Sequence, residues 1–249
     1  MGLPRDYNKA LHRHANFHAT WFPITVPHRI GDYGLIQNGV FQKIGHLDQL
    51  KDDGFDVPIE TREGNPTTLD FLSEGAKMVR VVSGVEVPEL PVANVNASVK
   101  FKFEKENSFV LKAAEIKVEQ MENIDQVARK LAILRREKKW SHRNKVVSAT
   151  YTGQQCLVLL SSERGTEVGF EGEASALKQL EMGKITLKPQ VTFSSDTILR
   201  SIGDTGVIGI GLFKLRMLNS AVNILNNGEL TEEELAIDDS LGEEIQDDI

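Results

Sequence analysis

Between Ser98 and Glu104 the chain alternates strictly: Val99, Phe101 and Phe103 are apolar, and Lys100, Lys102 and Glu104 are charged. A period of two puts successive side chains on opposite faces of an extended strand, so no helix can gather these three apolar residues onto one face. The run turns at Lys105-Glu106-Asn107-Ser108 and resumes with Phe109, Val110 and Leu111, which predicts a long antiparallel hairpin over 99–118. Further extended runs follow as KVVSATY (145–151), QCLVLLSS (155–162), TEVGFEGEA (166–174), KITLKPQVTF (184–193) and GVIGIGLFKL (206–215). Such alternation has two uses. One face can cover a core while the other meets water, or one face can meet lipid while the other lines a lumen. The sequence favours the first.

Helices are expected at two places. Ile124, Val127, Leu131 and Leu134 recur at helical spacing over Asn123 to Trp140, with Asn123 as cap. Residues 5 to 22 carry Leu11, Ala15, His18 and Phe22 at the same spacing, before Pro23 and Pro27. Asn38-Gly39, between Tyr33/Leu35 and Val40/Ile44, signals a two-residue hairpin. Residues 51–65 read as loop, 67–82 as a short helix leading into a strand, and 221–225 as a last short helix ended by Asn227-Gly228. The expected class is α+β, a central twisted, mostly antiparallel sheet flanked by amphipathic helices, with a short C-terminal segment.

Charge divides the chain. From Gly228 to Ile249 there are 10 acidic residues and no Lys or Arg, so the formal −7 of the whole conceals a body of about +3. The expected organisation is a body over 1–225 and an acidic tail over 226–249. Arg129, Lys130, Arg135, Arg136, Lys138 and Lys139, with Arg143 beyond, crowd onto the second predicted helix and lead to Trp140. That patch suits anionic lipid headgroups, with the tryptophan at the interface, or the acidic tail itself. No aromatic-interleaved basic strand or reader motif points to nucleic acid.

Chemistry is weakly signalled. One cysteine, Cys156, lies in an apolar strand and allows no internal disulfide, so a reducing compartment is expected. There is no signal-peptide pattern, no run of 18 apolar residues, and Asp6 stands where a myristoylation signal needs Ser or Thr. His14 and His18 stand four apart but lack the intervening Glu and third ligand of a zinc site. Gly203, Gly206, Gly209 and Gly211 lie among β-forming residues, which suits close backbone approach better than a phosphate loop. No catalytic residue, metal or cofactor is expected, and the chain reads as a non-enzyme.

Residues 98 to 174 resemble the central part of the bacterial gasdermins. The correspondence rests on the strand pair from Val99 to Val118, the helix closed by Lys139-Trp140, and the Val146-Val147-Ser148-Ala149-Thr150 strand. The apolar strand Leu157 to Ser162, the Glu-rich strand Glu167 to Glu173, and Gly211-Leu212-Phe213 complete it. The resemblance implies a soluble, autoinhibited protein that loses its C-terminal segment to an activating protease. It would then assemble with copies of itself into a large membrane β-barrel that kills the cell, as in antiphage defence. It assigns lipid contact to Arg129, Lys130, Arg135, Arg136, Lys138, Lys139 and Trp140, and membrane insertion to a hairpin carrying Val99, Phe101, Phe103, Phe109 and Leu111. Restraint falls to Met217, Leu218, Val222, Ile224 and Leu225, and cleavage near Asn226, Asn227 and Gly228. The protein would be cytoplasmic when inactive and at the inner membrane when active. The N-terminal cysteine that many bacterial members carry is absent, since positions 2 to 6 are Gly2, Leu3, Pro4, Arg5 and Asp6. The rival reading is a non-enzymatic scaffold that uses the cationic helix and acidic tail.

Overall fold

A computed structural model describes residues 2–91, 95–185, 190–195, 198–218 and 221–225, with backbone alone for 216–218 and 221–225. The elements are α1 (Leu3–Ala15), β1 (His18–Ala19), β2 (Asp32–Gln37), β3 (Val40–His46), β4 (Thr61–Glu63), β5 (Thr67–Leu72), β6 (Ala76–Val82) and β7 (Val85–Val87). After them come β8 (Asn96–Phe103), β9 (Ser108–Met121), α2 (Ile124–Arg136), β10 (Lys145–Ser161), β11 (Thr166–Glu173) and α3 (Ala174–Glu181). The last three are β12 (Gln190–Phe193), β13 (Ile198–Leu218) and β14 (Ala221–Leu225). The class is α+β, as expected. The chain divides into two compact units, one of residues Met1–Tyr7, Pro66–Ile116 and Thr152–Gly206, the other of Asn8–Asn65, Lys117–Tyr151 and Val207–Ile249.

In the first unit a five-stranded antiparallel sheet runs β12-β11-β8-β6-β7. β8 alternates as its sequence demands: Ala97, Val99, Phe101 and Phe103 are buried, and Ser98, Lys100 and Lys102 lie half-buried on the other face. Phe101 sits opposite Met78 of β6 and Val168 of β11, and its ring meets Phe170 edge-on at 5.9 Å. Covering this face is α3, which brings Ala174, Leu177 and Leu180 into one cluster with Val99, Phe101, Phe103, Val168 and Phe170.

The expected 99–118 hairpin does not form. β8 pairs with β6 and β11, whereas the Val110–Ile116 part of β9 pairs with β5. The cause is a corner where two connections stack. The β5–β6 turn holds Gly75, at which a Cβ would come within 2.6 Å of Lys105 Cβ in the β8–β9 turn, and Glu104 N–H donates to the Gly75 carbonyl at 2.7 Å. Both strand pairs change sheets at this corner, so neighbours in sequence end in different sheets. Residues 67–82, expected as a short helix leading into a strand, are instead the two strands β5 and β6, and the antiparallel strands form two sheets.

In the second unit the strand order is β1-β13-β10-β2-β3, with β14 on β13 and β4 on the 119–121 end of β9. The β2–β3 hairpin closes at Asn38 (φ 51°) and Gly39 (φ 76°), the two left-handed residues that a twist-matched two-residue turn requires. α1 ends at Ala15, where Asn16 takes φ 55°, so the helix expected to reach Phe22 gives way to β1. β1 meets β13 where Gly209 lies under Phe17; a Cβ there would stand 2.2 Å from the ring. That is the close approach expected of the glycine-rich run. KVVSATY and QCLVLLSS join as the single strand β10, with Gln155 at φ 50° inside it. α3 is an addition to the expected helices, and residues 221–225, expected to be helical, are β14, paired in register Leu215↔Ile224.

Candidate functional site

α2 stands where its apolar period requires. Val127, Leu131 and Leu134 are buried with Leu47, Leu50, Phe55 and Phe213, and Ile124 packs against the same cluster. Asn123 occupies the cap position but makes no side-chain cap. Its Nδ2 instead donates to Pro58 O at 2.7 Å, and its Oδ1 accepts from Glu60 N at 3.1 Å, fastening the loop before β4 to the helix start. At the other end Lys138 is left-handed (φ 60°), with Lys138 N–H on Arg135 O at 3.0 Å and Lys139 N–H on Leu134 O at 2.9 Å. This closed C-terminal turn satisfies the last carbonyls, and the cations around it suit the negative end of the helix dipole.

The turn decides where the expected lipid-contacting residues go. Arg129, Arg136, Lys138 and Lys139 are exposed, and Lys130 and Arg135 half-buried. Lys130 pairs with Asp56 at 2.9 Å, which holds that carboxyl below its usual range by a hydrogen bond and by charge. Lys139 pairs with Glu137 at 3.2 Å and donates to Asp53 O at 3.1 Å. Among the described residues Arg129, Arg135, Arg136 and Lys138 have no ion-pair partner. Trp140 is turned inward: it is 5% exposed, its ring 5.0 Å from Tyr33, so in this conformation it is core and no interfacial anchor. Ile133 takes the exposed place instead, 46% open among the arginines. Its sequence signal was its position off the apolar stripe, which the Ile124/Val127/Leu131/Leu134 period passes over.

The residues assigned to insertion are closed away. Val99, Phe101, Phe103, Phe109 and Leu111 are each 2% exposed or less. Those assigned to restraint lie on β13 (Met217, Leu218) and β14 (Val222, Ile224, Leu225), known here by backbone alone. The expected cut region Asn226, Asn227, Gly228 and the acidic tail lie outside the described residues.

No reactive centre assembles among the described residues. His18 is on β1 and not on the helix with His14; its ring lies tilted by 38° against that of His12, with centroids 4.7 Å apart. It is 1% exposed with neither nitrogen hydrogen-bonded, and burial, then His12 and Lys145, push it down to about 3. Burial, reinforced by Asp204, pushes the Cys156 thiol up to about 12, which makes it inert. No group of three metal-ligating side chains occurs among the described residues. An open cleft of about 700 Å³ is floored by Ile30, Phe55, Pro58 and Ile59. The His46 on its wall is already engaged, with Nε2 on Ile30 O at 3.0 Å and Nδ1 accepting from Asp48 N at 3.1 Å. No described helix is long and apolar enough to cross a membrane.

Among solved structures, the chain is similar to a bacterial gasdermin from Bradyrhizobium tropiciagri, at 11% identity over 87% of this chain and 88% of that one, with a TM-score of 0.37. No protein-family model matches the chain, and no curated protein matches it.

Proposed function

We propose that this is a gasdermin-like pore-forming effector, non-enzymatic and held inactive until its C-terminal segment is cut. The observation that carries this reading is β8 and its neighbours: an apolar face of Val99, Phe101 and Phe103, an opposite face with Lys100 and Lys102, and a lid of only eight helical residues, α3. A strand lining a water-filled barrel needs that two-sidedness, and about 9–11 residues suffice to cross a bilayer. β9, β10 and β13, at 14, 17 and 21 residues, have the length. The resemblance of residues 98–174 to the bacterial gasdermins points the same way.

On this reading the exposed cations of α2 meet anionic lipid after activation, at about 1 kcal/mol per effective basic residue near the headgroups. The acidic tail keeps the intact chain away from that surface. The active form is a self-oligomer at the inner membrane, and cell death serves antiphage-type defence. Dye release from anionic liposomes by a 1–225 fragment, with the full chain silent, is the test. Silence of every truncation between Leu218 and Asp239 would refute it. The unpaired arginines of α2 favour one rival, a scaffold that binds an acidic partner. Reversing Arg135, Arg136, Lys138 and Lys139 would then abolish partner binding without any effect on membranes.

A further inference from the structure

The first unit contains a buried lysine in a strand, a residue that water solvates well and a core does not. Lys112 of β9 has a side chain 2% exposed, and its ammonium contacts Asp70 Oδ1 of β5 and the main-chain oxygen of Glu181 at 3.0 Å. Glu181 is the last residue of α3. Its carboxylate in turn takes Arg80 Nε of β6 at 2.6 Å, with side chains 25% and 13% exposed. The chain then passes Gly183 at φ 73°, where a Cβ would stand 2.7 Å from Ala113 N, and the Gly183 carbonyl accepts from Ala114 N at 3.2 Å. One helix end is thereby bound to β6 and β9, with β5 joined to it through Lys112.

Replacing a buried ion pair with apolar groups of similar volume is often neutral or stabilising, so stability alone gives a weak reason for this arrangement. Location gives a stronger one. α3 has two turns, too short to persist by propensity, so it stays helical only while docked. It packs on β8 and β11, over the apolar face of Val99, Phe101 and Phe103. It shares that cover with Val110 of β9 and Leu157 and Leu159 of β10, and is the shortest of the covering elements.

We propose that the last turn of α3 is a charge-held clamp, Arg80–Glu181 with Lys112 on the Glu181 carbonyl, whose release uncovers the apolar face of β8. The proposal rests on the pore-forming reading for its purpose but not for its geometry. The clamp holds α3 by contacts that a change of partner can undo without unpacking the sheet, since Asp70, 67% exposed, and Arg80, 25% exposed, are the outward members of the two pairs.

The test uses the full chain with Glu181→Gln and, from the other side of the contact, Arg80→Met, so that one misfolded variant does not decide the matter. Amide exchange is read by segment, and dye release is read from anionic vesicles after in situ cleavage at a protease site introduced at 226–228. Both variants are expected to speed exchange of 174–184 and of β8 about tenfold relative to β2 and β3, and to shorten the lag before leakage several-fold. Exchange that stays at the wild-type rate in 174–184, or rises evenly across the chain, overturns the clamp. Local exchange with an unchanged lag overturns its control of the strands. If the cleaved wild type never leaks while exchange rises as described, the clamp stands and the pore-forming reading falls.

Discussion

The first unit and the α2 face of the second use charge differently. In the first, cations are paired between secondary-structure elements: Lys112 with Asp70, Arg80 with Glu181, and Lys102 with Glu167 at 3.7 Å. In the second, α2 leaves Arg129, Arg135, Arg136 and Lys138 unpaired among the described residues. Paired charge fixes geometry, because leaving one member alone and buried is costly. Unpaired charge on a solvated helix adds little stability and remains available to an anionic surface. The pairs of the first unit tie its elements together, and the α2 face leaves its cations to the solvent.

The largest effect that could break this contrast lies in the first unit's core. Phe101→Ala removes a fully buried ring between β6, β11 and α3 and should cost about 4 kcal/mol in urea-induced unfolding. A loss near 1 kcal/mol would mean that α3 already yields. In the second unit, Gly209→Val forces a side chain against Phe17 and should cost about 2 kcal/mol by the same measurement.

Acid tests the second unit from another direction. His18 is held neutral by burial, with its folded value lowered to about 3. The unfolded chain therefore binds the extra proton first, and stability falls as pH drops from about 6.5 towards 3. At pH 5 the loss from this group alone is about 2 kcal/mol, against an unfolded value near 6.5. His28, also lowered by burial, adds to the trend. Unfolding midpoints measured from pH 7 to 4 should flatten in His18→Gln, and an unchanged slope would show that the ring is not buried neutral. The smallest stability effect belongs to the α2 face. Arg136→Glu with Lys138→Glu should change unfolding by less than about 0.5 kcal/mol. Vesicle affinity of the cleaved protein, read by cosedimentation, should fall about thirtyfold, at about 1 kcal/mol for each of the two basic residues lost.

Much of the architecture is legible from periodicity. The α2 period, the Asn38-Gly39 turn and the β8 alternation each carry a local signal that tertiary packing leaves intact. Where sequence reading departs from the structure, the decisive interaction is distant. Nothing near 67–82 says that Gly75 must pack on Lys105, so β5 and β6 read as helix plus strand and β8–β9 as a hairpin. Asn16 ends α1 by adopting a left-handed conformation that any of several residues could have taken. Trp140 reads as an interfacial residue because the turn that reverses it depends on Lys138, which lacks the glycine signature of such turns. The clamp is invisible for a similar reason: Arg80, Lys112 and Glu181 are far apart in sequence and ordinary in composition. Only the placement of β14 beside β13 corrects the helical reading of 221–225.

The central claim is that the paired unit is shut by its own chain and opens when the C-terminus is removed. The direct measurement is dye release from anionic liposomes by the 1–225 fragment beside the intact 249-residue chain. The account predicts rapid release by the fragment and none by the intact chain. Equal silence from both, with the fragment folded and bound to the vesicles, would contradict it.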